Sequence, residues 1–209
     1  MTYNEYLNYF LSKEKREPFV IKKGKGKVLI SAPHSVEQTR EGKIKYGEYQ
    51  TGILANMLHD KLGCPVVYKT FNNGDDANYD SNCSYKEAVA DFVFKNDILF
   101  LIDLHQLAPR RVENIDIGTG FGENIKQYTD FPNIVWQEFA AQSISNITID
   151  TPFDASYPYT VSSFISRHCG IPCIQIEINS RLVCDEYDDF CFDRIMAALT
   201  SIVNYLNKE

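Results

Sequence analysis

Apolar positions along this chain switch between the helical period and short unbroken runs. Tyr6, Leu7, Phe10 and Leu11 fall at helical spacing and predict a short amphipathic helix over 3–12. Phe19-Val20-Ile21 and Val28-Leu29-Ile30 flank KKGKG, which reads as a β-hairpin or as two adjacent strands joined by a glycine turn. Ile53, Leu54, Met57, Leu58 and Leu62 mark a helix over 48–62 that Gly63 and Pro65 stop. Val66-Val67-Tyr68 is a further strand, followed by the polar loop FNNGDDANYDSN, of a kind that is either functional or flexible. Ser84 and Glu87 have capping-box spacing ahead of a helix that turns Ala88, Val89, Phe92 and Val93 inward.

DILFLID, over 97–103, is apolar enough for a central strand covered on both faces. Short strands are expected at 115–117 and 146–149, and IQIEI at 174–178 is another buried one. Helices are expected at 133–144, at 159–168 with Gly170 as C′ residue, and at 189–206. Strands alternate with helices for most of the length, which predicts one α/β domain, residues 1–209, built on a mostly parallel sheet.

The chemistry sits where these strands end. Pro33 closes the strand at 28–30 because it has no N–H to give, which leaves His34 at a carboxyl end, where ligands of open α/β sheets bind. Glu37 follows at HxxE spacing and Glu48 opens the next helix. His105 leaves the end of the DILFLID strand. Two imidazoles and a carboxylate, with one position left for water, are a donor set for catalytic zinc. Glu177 is a carboxylate inside an apolar strand, where burial raises its pKa toward the range of a general base. Arg110 and Arg111 after His105, Arg181 after Glu177, and Arg40 on the first loop are the candidates to hold a substrate carboxylate. His59 and His168, near helix ends, read as structural.

Composition narrows the partners. A net charge of −7 argues against nucleic acid, which needs clustered Lys and Arg, but leaves room for a small anion held by local arginines. No apolar stretch approaches the roughly 20 residues of a membrane span, and MTYNEYLNYF lacks the features of a secretory signal, so a soluble cytoplasmic protein is expected. The six cysteines form no CxxC pair and are expected to be free, mostly buried thiols. There is no GxSxG elbow, Walker loop or GxGxxG after a strand.

SAPHS at 31–35, GEYQTG at 47–52, DLH at 103–105, IDIGTG at 115–120 and IQIEIN at 174–179, taken in this order, resemble the N-formylglutamate amidohydrolase family, itself similar in fold to zinc carboxypeptidases. The resemblance implies a phosphorylase/hydrolase-like three-layer sandwich with a mixed, mostly parallel sheet. It implies one zinc ion held by His34, His105 and an acid between them, with Glu177 as catalytic base. Carboxypeptidase spacing points to Glu37 as that acid. The amidohydrolases place it at the start of the next helix, which points to Glu48, the favoured reading here. The implied activity is zinc-dependent hydrolysis of the amide bond of an N-acyl amino acid. A small zinc peptidase, a cell-wall amidase and a non-catalytic binding protein on the same fold are the alternatives. The oligomeric state is left open.

Overall fold

The computed structural model describes every residue except Lys13 and Lys15. Its first half runs through α1 (Tyr3–Leu11), β1 (Phe19–Lys22), β2 (Val28–Ala32), β3 (Gln38–Arg40), β4 (Lys43–Lys45), α2 (Tyr49–Leu62), β5 (Val66–Lys69) and α3 (Ser84–Lys95). The second half runs through β6 (Phe100–Leu107), β7 (Ile115–Gly118), α4 (Phe131–Ala141), β8 (Ile147–Ile149), α5 (Val161–Cys169), β9 (Cys173–Asn179), α6 (Ser180–Val183) and α7 (Phe192–Leu206). Seven strands form one sheet in the order β1-β5-β2-β6-β9-β7-β8, and β3 pairs with β4 in a separate hairpin. The central β5, β2, β6 and β9 are parallel. β1 is antiparallel to β5, and β7 is antiparallel to β9.

Helices cover both faces, as a buried parallel sheet requires. Ile30, Ile102, Ile174 and Ile176 face Leu54, Leu58, Phe139, Ile195 and Leu199 of α2, α4 and α7. Leu29, Val67, Leu101 and Cys173 point the other way, onto Val89, Val93, Val161 and Ile165 of α3 and α5. This second face changes character along the strands. Because side chains alternate with period two, the row after Leu29, Leu101 and Cys173 is Ser31, Asp103 and Gln175, and the next is His105 and Glu177. Pairing with β7 extends these rows to Gly118 and Asp116. The sheet is thus apolar where α3 and α5 cover it and polar toward its carboxyl end.

Several boundaries and one connection differ from the expectation. β1 and β2 are not neighbours: β5 lies between them, and Lys25 N–H donates to Gly63 O at 2.7 Å as the KKGKG segment crosses the start of β5. Gly24 passes so close there that a Cβ would lie 2.3 Å from the Gly63 carbonyl oxygen. β6 begins three residues later than DILFLID and continues to Leu107, so His105 lies within the strand. The Ser84 box does not form, since Cys83 is the N-cap of α3 and makes no side-chain cap. The box forms at Thr2 and Glu5 instead. The hairpin β3–β4 was not anticipated. Glu41 and Gly42 both have positive φ, 51° and 73°, as a two-residue type I′ turn demands. No described helix is long and apolar enough to cross a membrane.

Candidate active site

His34 leaves β2 through the Pro33 turn and is buried. Its backbone carbonyl accepts from Glu48 N–H at 2.7 Å, which brings the start of α2 beside it. Glu48 is the N-cap residue of α2, yet its carboxylate caps nothing in that helix. It faces His34 Nδ1 at 3.0 Å and His105 Nδ1 at 3.3 Å, and accepts from Gln106 N–H at 3.0 Å. The two imidazole rings meet edge to face with centroids 4.7 Å apart. His34, Glu48 and His105 each offer a donor atom, and these atoms lie within 4.8 Å of one another. Glu37 points elsewhere, lining a separate cavity with Phe10, Tyr49 and Phe71.

Each imidazole meets a second carboxylate at its far nitrogen: His34 Nε2 faces Asp76 at 2.9 Å and His105 Nε2 faces Asp103 at 3.1 Å. Burial works against a charged His34, but Glu48 and Asp76 outweigh it and raise the imidazole to about 9. His105 is also raised well above its ordinary value, because Asp103 and Glu48 outweigh its burial. Glu48 is held down at about 2, the two imidazoles overcoming the effect of burial. Burial likewise favours a protonated Asp76, yet His34 and Arg40 keep its carboxyl well below the usual range. Each imidazole thus stands between two carboxylates, which favour its charged form over the neutral one.

A divalent cation fits this set. Ligand bonds of about 2 Å in a tetrahedral site put neighbouring donors roughly 3.3 Å apart. The two Nδ1 atoms face separate oxygens of Glu48 at 3.0 and 3.3 Å, and one donor atom from each residue lies within 4.8 Å of the others, so a cation would draw the three donors slightly together. The cation would take the place of one proton on each ring, leaving the second N–H on Asp76 or Asp103, the usual arrangement for ligating histidines. It would also offset the carboxyls of Glu48 and Glu177 on a cavity wall where, among the described residues, Arg40 is the one permanent positive charge.

These residues open into a cavity of about 390 Å³ whose lining includes His34, Arg40, Glu48, His105 and Glu177. Glu177 sits beside His105 in the β6–β9 register and is 7% exposed. Burial, reinforced by Glu48 and Asp116 against the pull of the imidazoles, raises its carboxyl to about 8.

Of the four candidate arginines, Arg40 alone lines this cavity. It extends from β3 with Nε donating to Asp76 Oδ2 at 2.8 Å and the guanidinium 4.6 Å above the Tyr79 ring. The continuation of β6 to Leu107 carries the next two arginines past the site. Arg110 is exposed, and Arg111 stands outside the cavity with its guanidinium 5.2 Å from the ring of Phe153. Arg181 turns away to Asp189 at 3.4 Å and to Asn179 Oδ1 at 3.3 Å. His59 and His168 each hydrogen-bond a backbone carbonyl near their helix ends, Cys64 O and Phe164 O. All six cysteines are free thiols.

The sequence reading did not assign Asp76, Asn78, Gln175 or the wall at 152–157. Gln175 was accessible in principle, because it is polar, two residues from Glu177 and on the same strand face. The IDIGTG motif builds the wall. The Asp116 carboxylate accepts from Thr148 Oγ1 at 3.0 Å, Thr151 N at 3.1 Å and Phe153 N at 2.7 Å, and Asp150 accepts from the Thr119 amide and hydroxyl, each at 2.6 Å. Phe153 and Tyr157 from this wall line the cavity, and Tyr157 stacks on Tyr79 of the β5–α3 loop at 5.7 Å.

No protein-family profile and no curated protein matches the sequence. Solved structures do match in fold. N-formylglutamate amidohydrolase from Ralstonia eutropha JMP134 aligns over 91% of this chain and 99% of its own, with TM-score 0.59 and 12% identity. A bacteriophage poly-gamma-glutamate hydrolase aligns over 91% and 90%, with TM-score 0.55 and 13% identity. Succinylglutamate desuccinylase from Chromobacterium violaceum aligns over 87% of this chain and 64% of its own, with TM-score 0.54 and 14% identity. At these identities the likeness establishes the three-layer fold, which agrees with the one implied by the sequence motifs.

Proposed function

We propose that this protein is a zinc-dependent amidohydrolase that cleaves the amide bond of a small anionic N-acyl amino acid or short peptide. The observation that carries the reading is the convergence of donors from three distant segments, His34, Glu48 and His105, beside a buried carboxyl in one cavity. The three matched enzymes, by their names, act on N-acylated or γ-linked glutamate, which favours an acidic substrate for this fold.

His34, Glu48 and His105 would hold the metal, and Asp76 and Asp103 would fix the ring orientations through the far nitrogens. The bound cation supplies Lewis-acid polarisation of the substrate carbonyl and acidifies water. Glu177 takes the proton lost as water adds to the carbonyl carbon, then delivers it to the nitrogen as the C–N bond breaks. Burial raises this carboxyl to about 8 without a cation beside it; with one bound it would return to the ionised form that accepts the proton and then, once protonated, delivers it. Arg40 holds the substrate carboxylate: Asp76 and Tyr79 fix the guanidinium, and among the described residues nothing accepts from its two terminal nitrogens. Its contribution is the orientation of the amide toward Glu177.

The test combines metal analysis with a screen of N-acyl amino acids and short peptides. One zinc per chain is expected, disappearing in His34→Ala, while Glu177→Gln keeps the metal and loses turnover by about 10²–10⁴-fold. Full turnover by Glu177→Gln ends the assignment of the base. Stoichiometric metal with no hydrolysis of any N-acyl or peptide substrate favours a binding protein.

A further inference from the structure

Glu177 lies at the end of a row of amides whose direction is set by a group that has only one. Val161 opens α5, and its backbone N–H donates to Asn78 Oδ1 at 2.7 Å. Because a backbone amide nitrogen cannot accept, that atom of Asn78 is the oxygen, and Nδ2 is turned toward Gln175, donating to Oε1 at 3.3 Å. Gln175 then has Nε2 left for Glu177, donating to Oε1 at 3.1 Å. Gln175 is only 3% exposed, which limits the access of water from the cavity to these bonds.

We propose that Asn78 and Gln175 are positioning residues for the acid–base carboxyl: their row of amides holds Glu177 Oε1 as a fixed acceptor and leaves Oε2 as the oxygen that takes and returns the proton. The inference rests on the reading of Glu177 as the base. The row also joins the two halves of the site. Asn78 N–H donates to Asp76 Oδ1 at 3.0 Å, the same oxygen that faces His34 Nε2, so one turn of the β5–α3 loop orients a metal-ligand candidate through Asp76 and the carboxyl through Gln175. The loop and α5 are further tied by Lys86, which is fully buried and whose Nζ donates to Asp80 O at 2.5 Å and Tyr159 O at 2.6 Å.

Two substitutions cut the row at different links. Gln175→Leu removes the donor to Glu177 at similar volume. Asn78→Asp still accepts from Val161 but cannot donate, so it favours Gln175 turned with its oxygen toward Glu177. Each is expected to lower kcat by about 10–100-fold with KM within about threefold and zinc content unchanged. In the Gln175→Leu background, Asn78→Asp should cost less than about threefold more, because the link it acts through is already gone. A kcat within about threefold of wild type for Gln175→Leu, or losses that multiply in the double variant, overturns the proposal.

A second readout needs neither metal nor turnover. In metal-free, ¹⁵N-labelled protein the side-chain amide protons of Gln175 should exchange with solvent at least about tenfold more slowly than those of an exposed glutamine, and their resonances should move in both Glu177→Ala and Asn78→Asp. Exchange at the exposed rate refutes the row of amides whatever the activity. Protected amides together with full turnover by Glu177→Gln would instead leave the row standing and remove the acid–base role, which equally overturns the proposal.

Discussion

Adding zinc to the metal-free protein at pH 7 perturbs groups whose protonation the hydrogen bonds dictate. His34 is raised to about 9 and His105 well above its ordinary value, so both rings enter the reaction as imidazolium and each must lose the Nδ1 proton to become a ligand. Glu48, held at about 2, is already ionised and loses nothing. Glu177, at about 8, is mostly protonated and gives up to one more proton as a cation arrives beside it. Two to three protons should therefore appear per zinc bound, and two in Glu177→Gln. Deprotonating His34 two units below its pKa costs about 2.7 kcal/mol, or roughly a hundredfold in apparent affinity, and the second ring adds its own share. Apparent affinity should rise about a hundredfold per unit between pH 6 and 8 in Glu177→Gln, where two protons leave, and by at least that much in the wild type. Calorimetry in buffers of different ionisation enthalpy counts the protons, and chelator competition gives the slope. Fewer than one proton released, or an affinity that does not change with pH, would refute the assignment of the two imidazoles as ligands.

Arg40→Met should raise KM for a carboxylated substrate by about 10–100-fold with kcat within about threefold, and leave the neutral carboxamide analogue unaffected. An equal loss on both would mean that Arg40 serves only Asp76. The metal-free protein should lose stability as the pH rises from 6.5 to 9. His34 keeps its proton in the folded state over this window and loses it in the unfolded chain, so its stabilising effect is complete below about 6.5 and gone above about 9. The shift of about 2.5 units amounts to roughly 3 kcal/mol from His34, and His105 and Glu177, also raised, add losses in the same direction. Urea denaturation at the two pH limits reads the sum, and a flat profile contradicts the folded-state imidazolium.

The strands that carry the site were legible because burial on both faces leaves an unmistakable apolar run, as in β6 and β9. Period-two alternation then implies that Asp103 shares a face with His105, and Gln175 with Glu177. Sheet order was less accessible. The insertion of β5 between β1 and β2 depends on tertiary pairing, and the glycines of KKGKG suit a crossing as well as a turn. The direction of Glu37 away from the site, and of Glu48 into it, follows from the path of the chain after Pro33 and the hydrogen bond from Glu48 N–H to His34 O. Neither has a local signature. The arginines illustrate the same limit: Arg110 and Arg111 are near His105 in sequence, but two further residues of β6 carry them beyond the cavity, while Arg40 returns to it on a hairpin whose Glu-Gly turn is a weak signal. The long polar loop before α3 contains Asp76 and Asn78, and its Asn, Asp and Gly content alone did not separate a functional loop from a flexible one.

The most direct measurement is the anomalous scattering of crystals soaked in zinc, collected at the zinc absorption edge. One strong peak is expected within about 2.0–2.2 Å of His34 Nδ1, His105 Nδ1 and a Glu48 oxygen, with Glu177 facing the same cavity. A peak bound by other side chains, or none between these three, would contradict this assignment.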